Sequence, residues 1–236
     1  MKKIAYLTSQ NVEEKKKEWF AKLDKKHWKP FVSSKAALLV IDIQNYFTNP
    51  ASHAFVPSMP FIKQNILKLV GAFKRRNLPV CFTTFARMPG EKDPIQEWWG
   101  QTVEQGSKEA ELNMATEAED IVLVKPGYSA FYRTNLEEQL QKRGVDTVVI
   151  TGVLSNLCCE TTARDAFNRG YKVYFVVDAT AAYSEELHVA TLLNLSYGFA
   201  TPLSTQDLCS MIVGLSGRDR QDSALRCSWR VLNINF

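Results

Sequence analysis

The run Ala36-Ala37-Leu38-Leu39-Val40-Ile41 constrains this chain more than any other feature, because six apolar residues follow one another with no polar alternation. A strand with one wet face alternates, so a short unbroken run is expected of a strand covered on both faces. Comparable runs follow at 78–85, 121–124, 147–150 and 173–177. Stretches of helical period lie between them. Residues 60–76 end in Lys74-Arg75-Arg76, which suits a helix C-terminus, and 134–143, 157–169 and 184–197 end before Gly144, Gly170 and Gly198. Strands alternating with helices of this length form parallel βαβ units. With a short sixth strand near 200–203 and a helix over 206–213, the expected fold is α/β, three-layer α/β/α, with a six-stranded mostly parallel Rossmann-like sheet. Such sheets bind ligands outside the carboxyl ends of their strands. Chemistry is therefore to be sought just after each apolar run.

The ends of the chain differ from this middle. Residues 1–35 hold ten lysines against Glu13, Glu14, Glu18 and Asp24, and residues 217–236 hold four arginines against Asp219 and Asp222. The net charge of +4 is thus concentrated at the two ends. A basic arm can touch nucleic acid, but a solvated helix with lysines on its wet face explains the same run. We read residues 1–34 as a basic helical arm, 35–213 as the main domain and 214–236 as a tail. The arm's helix is expected over 12–28, with Trp19, Phe20, Leu23 and Trp28 as its apolar side and Pro30 as its stop. It is expected to pack on the domain and to be accessory to activity. Five cysteines, two of them adjacent, do not read as a disulfide framework. Lys2 and Lys3 are not followed by an apolar stretch, and no apolar run approaches the ~20 residues that span a bilayer. A cytoplasmic protein with no membrane and no nucleic-acid partner is expected.

Three residues stand at strand ends. Asp42 directly follows the first run, and a carboxylate in apolar surroundings is costly unless it is paired or used. Capping of a neighbouring loop is the structural alternative. Lys125 continues the third run into Pro126-Gly127, although lysine is almost never buried unpaired. Cys158 follows the fourth run, after Thr151-Gly152-Val153-Leu154-Ser155-Asn156-Leu157. It is placed in the first turn of a helix, where free N–H groups and the helix dipole favour a thiolate. Cys159, Ala163 and Ala166 recur at helical spacing and form the stripe expected to pack on the sheet, which turns Cys158 towards the cleft. An acid, a lysine and a helix-start cysteine together form a nucleophilic constellation.

These motifs resemble the isochorismatase-like hydrolase superfamily, in its cysteine hydrolase branch. The resemblance covers roughly residues 35–213. It is carried by Leu39-Val40-Ile41-Asp42-Ile43-Gln44-Asn45-Tyr46-Phe47, by Lys125 with Ser129-Ala130-Phe131, and by the segment from Gly152 to Ala166 with Cys158-Cys159-Glu160-Thr161-Thr162. It implies an Asp42-Lys125-Cys158 triad, a cis peptide between Val153 and Leu154, and an oxyanion hole formed by the N–H groups of Leu154 and Cys158. It further implies cleavage of a C–N bond in a small amide, carbamoyl or ureido substrate through a cysteine thioester, in a homodimer or homotetramer without a cofactor. True isochorismatases resemble this chain around Cys158 but carry glycine there and cleave a vinyl ether. Nicotinamidases carry a metal-binding Asp and His set, whereas His27, His53 and His188 do not pair at ligand spacing here, so no metal is implied. An ether hydrolase and a catalytically silent oligomeric binding protein are the alternatives.

The pocket walls are read more coarsely. Family position puts Gln44, Tyr46 and Phe47 near the substrate. Trp98 and Trp99 lie in a loop-rich lid over 86–118 and can line either a substrate or a subunit interface. Arg87 can hold a substrate carboxylate bidentately or sit in a surface ion pair. His53 is expected to brace its own loop.

Overall fold

A computed structural model describes residues 3–31, 33–87, 90 and 94–213. The proposed 214–236 tail, with Cys227, lies outside the described residues. Six parallel strands form one sheet in the order β3-β2-β1-β4-β5-β6. They are β1 (Ala36–Ile41), β2 (Val80–Phe85), β3 (Ile121–Lys125), β4 (Thr147–Val153), β5 (Lys172–Ala181) and β6 (Thr201–Leu203). The helices are α1 (Val12–Lys22), α2 (Asn45–Thr48), α3 (Met59–Lys74), α4 (Pro94–Trp99), α5 (Leu136–Lys142), α6 (Glu160–Asn168), α7 (Glu185–Gly198) and α8 (Thr205–Val213). The three-layer α/β/α expectation holds.

Every residue of β1, β2 and β4 is buried, as unbroken apolar runs require. β3 differs. It is an edge strand, and Val122 and Val124 are 51 % and 40 % exposed, so its run is not covered on both faces. β5 is longer than its apolar run, because Asp178 and Thr180 continue it with their polar groups satisfied inside. Asp178 accepts from the N–H and hydroxyl of Thr205 at 2.7 and 2.8 Å and so fastens the start of α8.

The arm folds onto the domain, but its helix stops earlier than expected. α1 ends at Lys22, well before Pro30, because Leu23 turns into extended backbone to reach the core. Tyr6, Leu7, Val12, Trp19 and Leu23 all join the single main core cluster. Not all of its lysines are wet: Lys16 is buried and pairs with Glu13 at 2.8 Å, with Asp178 4.0 Å away.

The direction of strand progression reverses between β1 and β4, so their carboxyl ends bound a topological switch point. Gly152 makes the close approach there possible. It has φ +108°, and a Cβ on it would stand 2.0 Å from the Ile41 carbonyl oxygen. No helix among the described residues is long and apolar enough to cross a membrane.

Candidate active site

Asp42, Lys125 and Cys158 come from the ends of β1 and β3 and the turn after β4, and they meet at the switch point. Asp42 is the first residue beyond β1 and holds a left-handed backbone, φ +53°, which non-glycine residues adopt at a cost. The Thr83 carbonyl receives its N–H at 3.0 Å. The Thr83 hydroxyl donates to Oδ1 at 2.8 Å. Oδ2 is turned to Lys125, whose Nζ stands 2.8 Å away. Both side chains are fully buried.

Lys125 spends its three N–H donors locally. It donates to the Gly127 carbonyl at 2.9 Å and to Cys158 Sγ at 3.3 Å, and pairs with Asp42. Burial alone would lower its pKa, but the Asp42 charge and the sulfur outweigh that and hold it above the usual lysine value. The turn that carries Lys125 is fastened to α6. Ser129 Oγ donates to Asp165 Oδ2 at 2.6 Å, and the Ala130 N–H donates to Thr162 Oγ1 at 3.0 Å. These two bonds tie the turn after β3 to the helix that follows Cys158.

Cys158 does not lie in an ordinary first α-helical turn. Residues Ser155–Cys159 form a π-turn that leads into α6. The Val153–Leu154 peptide bond is cis, as the resemblance implies. Cys159 is fully buried, with Sγ 3.9 Å from the Thr151 carbonyl, while Cys158 lines a cavity. The two thiols thus point to opposite sides, as their spacing suggested. Two influences oppose each other at the Cys158 sulfur. Burial pushes the Cys158 thiol up to about 12, the Lys125 ammonium opposes this, and the Asp42 carboxylate adds to it. Asp42 Oδ2 can take the thiol proton once a carbonyl carbon is presented to the sulfur.

The cavity over Cys158 has a volume of about 360 Å³. Tyr46, Phe47, Trp99 and Leu154 are on its wall, as expected. Gln44 is not. It is fully buried, with Nε2 donating to the Phe85 carbonyl at 2.9 Å and Oε1 accepting the Phe85 N–H at 2.6 Å, so it ties the end of β2 to the segment after β1. Arg87 and Trp98 line a neighbouring cavity instead. Arg87 makes a two-point ion pair with Glu104, the surface alternative, so its fork is not open to a substrate. Trp98 is 80 % exposed, whereas Trp99 donates to the Tyr128 hydroxyl at 2.8 Å.

Sequence reasoning missed Tyr183, Tyr128, Leu157 and Lys3 on the wall. Tyr183 stands two residues beyond the true end of β5, where the strand-end rule points, but the polar continuation of that strand hid the end. Lys3 brings the arm, expected to be accessory, to the cavity wall. His53 also lines it, with Nε2 3.0 Å from the Tyr46 hydroxyl.

The isochorismatase domain family model matches residues 36–207. The chain belongs to the isochorismatase family. It is 40 % identical over 185 residues to Nicotinamidase 3 of Arabidopsis thaliana, covering 76 % of this chain and 89 % of that relative. It is 36 % identical over 166 residues to Isochorismatase of Bacillus subtilis, covering 67 % of this chain and 52 % of that relative. A crystal structure of a cysteine hydrolase from Pseudomonas syringae pv. phaseolicola matches with a TM-score of 0.75 and 26 % identity, covering 79 % of this chain and 96 % of that one. This chain is thus one of the isochorismatase-like hydrolases and resembles their cysteine branch. The relative named as a nicotinamidase is closer than the missing metal set led us to expect. Even so, no three His, Cys, Asp or Glu residues cluster as a metal site among the described residues. His53, the imidazole of the cavity wall, has no carboxylate beside it on that wall. These residues do not fit a metal.

Proposed function

We propose that the protein hydrolyses a C–N bond of a small amide, carbamoyl or ureido compound through a Cys158 thioester. The observation that carries this reading is the Lys125 ammonium 2.8 Å from Asp42 Oδ2 and 3.3 Å from Cys158 Sγ, at the floor of a cavity. Asp42 takes the thiol proton as sulfur attacks the carbonyl carbon. Lys125 keeps the new anionic centre in a positive field, and the N–H groups of Leu154 and Cys158 receive the oxyanion. The tetrahedral adduct collapses, the C–N bond breaks, and ammonia or an amine leaves with the proton from Asp42. Asp42 then takes a proton from water as hydroxide adds to the thioester; the adduct collapses, the C–S bond breaks, and Asp42 returns the proton to the Cys158 sulfur as the acid product leaves. The assembly expected from the resemblance is a homodimer or homotetramer, which sedimentation velocity tests.

A screen for ammonia release across small amides, carbamoyl and ureido compounds tests the chemistry. Turnover of one class is expected, with the same rate after chelator treatment and a loss on the order of 10³-fold or more in Cys158→Ala. A second reading, cleavage of a vinyl ether, is favoured by the likeness to the Bacillus isochorismatase. That reading needs no thiol, so ether cleavage that survives Cys158→Ala would replace the amide reading.

A further inference from the structure

The arm ahead of α1 adds no strand to the sheet and lies outside the matched family region, yet its Lys3 lines the cavity. The Ile4 N–H donates to the Tyr183 carbonyl at 3.1 Å, and the Tyr6 hydroxyl accepts the Ala182 N–H at 3.0 Å. These bonds run the arm beside the segment after β5 and deliver Lys3 to the cavity wall. There its ammonium stands 3.9 Å from the centre of the Tyr183 ring and donates to the His53 carbonyl. An ammonium has three N–H donors, so the carbonyl leaves others for a ligand.

The rest of the wall gives this charge its meaning. Among the described residues lining the cavity there is no carboxylate, no arginine and no other lysine. Lys125, beneath it, is already matched by Asp42. Arg87, the sequence candidate for holding a carboxylate, is taken by Glu104. The sides are aromatic, with Tyr46, Phe47, Phe85 and Tyr183 among them. A polar cation above aromatic walls and a thiol suits a flat apolar molecule with charge at one end.

We propose that Lys3 makes this a site for anionic substrates, in which a carboxylate or similar anion sits at the end opposite the bond attacked by Cys158. The substrate class rests on the hydrolase reading above, but the anion preference does not. It belongs to the cavity and can be read without turnover.

The test uses the full chain with N-phenylmaleimide and its 4-carboxyphenyl counterpart. In each, Cys158 sulfur adds to one alkene carbon and a proton to the other, so the pair differs only in the remote carboxylate. The ratio of labelling rates at Cys158, read by peptide mass spectrometry, cancels general changes in thiol reactivity. Lys3→Gln is expected to lower the carboxylate-to-neutral ratio about fivefold, the effect of one partly screened charge at close range, and Lys3→Arg to retain it. An unchanged ratio in Lys3→Gln overturns the proposal, as does an equal fall in Lys3→Arg. Labelling is followed at pH 9, where more of the thiolate is present; if neither reagent labels Cys158 there, calorimetric affinities for benzoate and benzamide decide the anion site. A benzoate preference lost in Lys3→Gln supports it, and no preference in the full chain overturns it. A failed amide screen and a failed anion preference are therefore separate results.

Discussion

Lys125 has no solvent exposure and still carries its charge, because Asp42 stands 2.8 Å away and every N–H has a partner. A buried pair of this kind is harmed most by losing one member, which leaves the other charge uncompensated. Burial acts against both charges: beside Lys125 it is outweighed by the Asp42 carboxylate, whereas at Cys158 it outweighs the Lys125 ammonium and pushes the thiol up. Two adjacent thiols then make a clean comparison. Cys158→Ala is expected to abolish turnover with the fold intact, since the site faces a cavity. Cys159→Ala should keep turnover and lose about 1 kcal/mol of stability in chemical denaturation, through a small void under the helix. Lys125→Ala added to Cys158→Ala should be scarcely worse in turnover than Cys158→Ala alone, because the three groups act as a unit. Alkylation of Cys158 by iodoacetamide should be slow at neutral pH and keep rising above pH 9, since only the thiolate reacts and its pKa is pushed up to about 12. If Cys159 takes the label first, the assignment of the nucleophile is wrong. The three site residues were legible from sequence because each breaks a local rule: a carboxylate and a lysine at the ends of apolar strands, and a cysteine off the packed stripe. The burial of the thiol was not legible, because it depends on how deeply three separate strand ends close over one another.

At the scale of elements, the same closure depends on the crossing of β1 and β4. Ile41 and Gly152 are register partners, and the missing side chain lets their backbones meet while Asp42 turns into its left-handed conformation. Gly152→Ala would drive a Cβ to 2.0 Å from a backbone oxygen that has no freedom to retreat, at a φ that alanine disfavours. Loss of soluble folded protein, or a destabilisation of more than about 4 kcal/mol, is expected from thermal and denaturant melts. Gly170→Ala is the control. Its φ is +86° but nothing lies within 4 Å of the added carbon, so it should cost only about 1–2 kcal/mol. Equal costs at the two positions would show that φ alone, and not the close approach, sets the requirement. The apolar runs revealed the strands because burial on both faces leaves no room for polar residues. They did not reveal which strand is the edge, because β3 has the same composition as its covered neighbours. Nor did they reveal the π-turn at Ser155–Cys159, where one extra residue in the turn leaves the helical pattern of the sequence almost unchanged.

Across the whole molecule, the arm, the core and the active-site turn are joined through one buried histidine. Trp19 of the arm is fully buried, with its ring centre 4.8 Å from that of His188, and the Tyr6 ring centre is 5.6 Å from the same imidazole. His188 Nε2 donates to the Val177 carbonyl at 3.1 Å, which leaves Nδ1 to accept from the Ser155 hydroxyl at 3.1 Å, three residues before Cys158. The sequence put Trp19 on the packed side of the arm, but not its partner, because His188 lies far along the chain and nothing local links the two. Burial holds His188 neutral and pulls its pKa down to about 3. The sign follows directly. Below the ordinary value of 6.5 the unfolded chain takes up a proton here that the folded chain refuses. The stability tied to this site is therefore whole above pH 6.5 and drains away as pH falls towards 3. At pH 4.5 the loss should reach about 2–3 kcal/mol relative to pH 7. His188→Gln removes the titrating group but keeps a polar side chain, so its stability difference between pH 7 and pH 4.5, from urea melts, should be smaller than that of the unaltered chain by about that amount. Trp19→Ala should cost about 3–5 kcal/mol at pH 7. By letting water reach the ring it should also raise the His188 pKa, read by NMR of the imidazole, towards the ordinary value. If His188→Gln leaves the pH dependence as it was, the histidine does not couple acid to this fold, and the arm is held to the core by apolar packing alone.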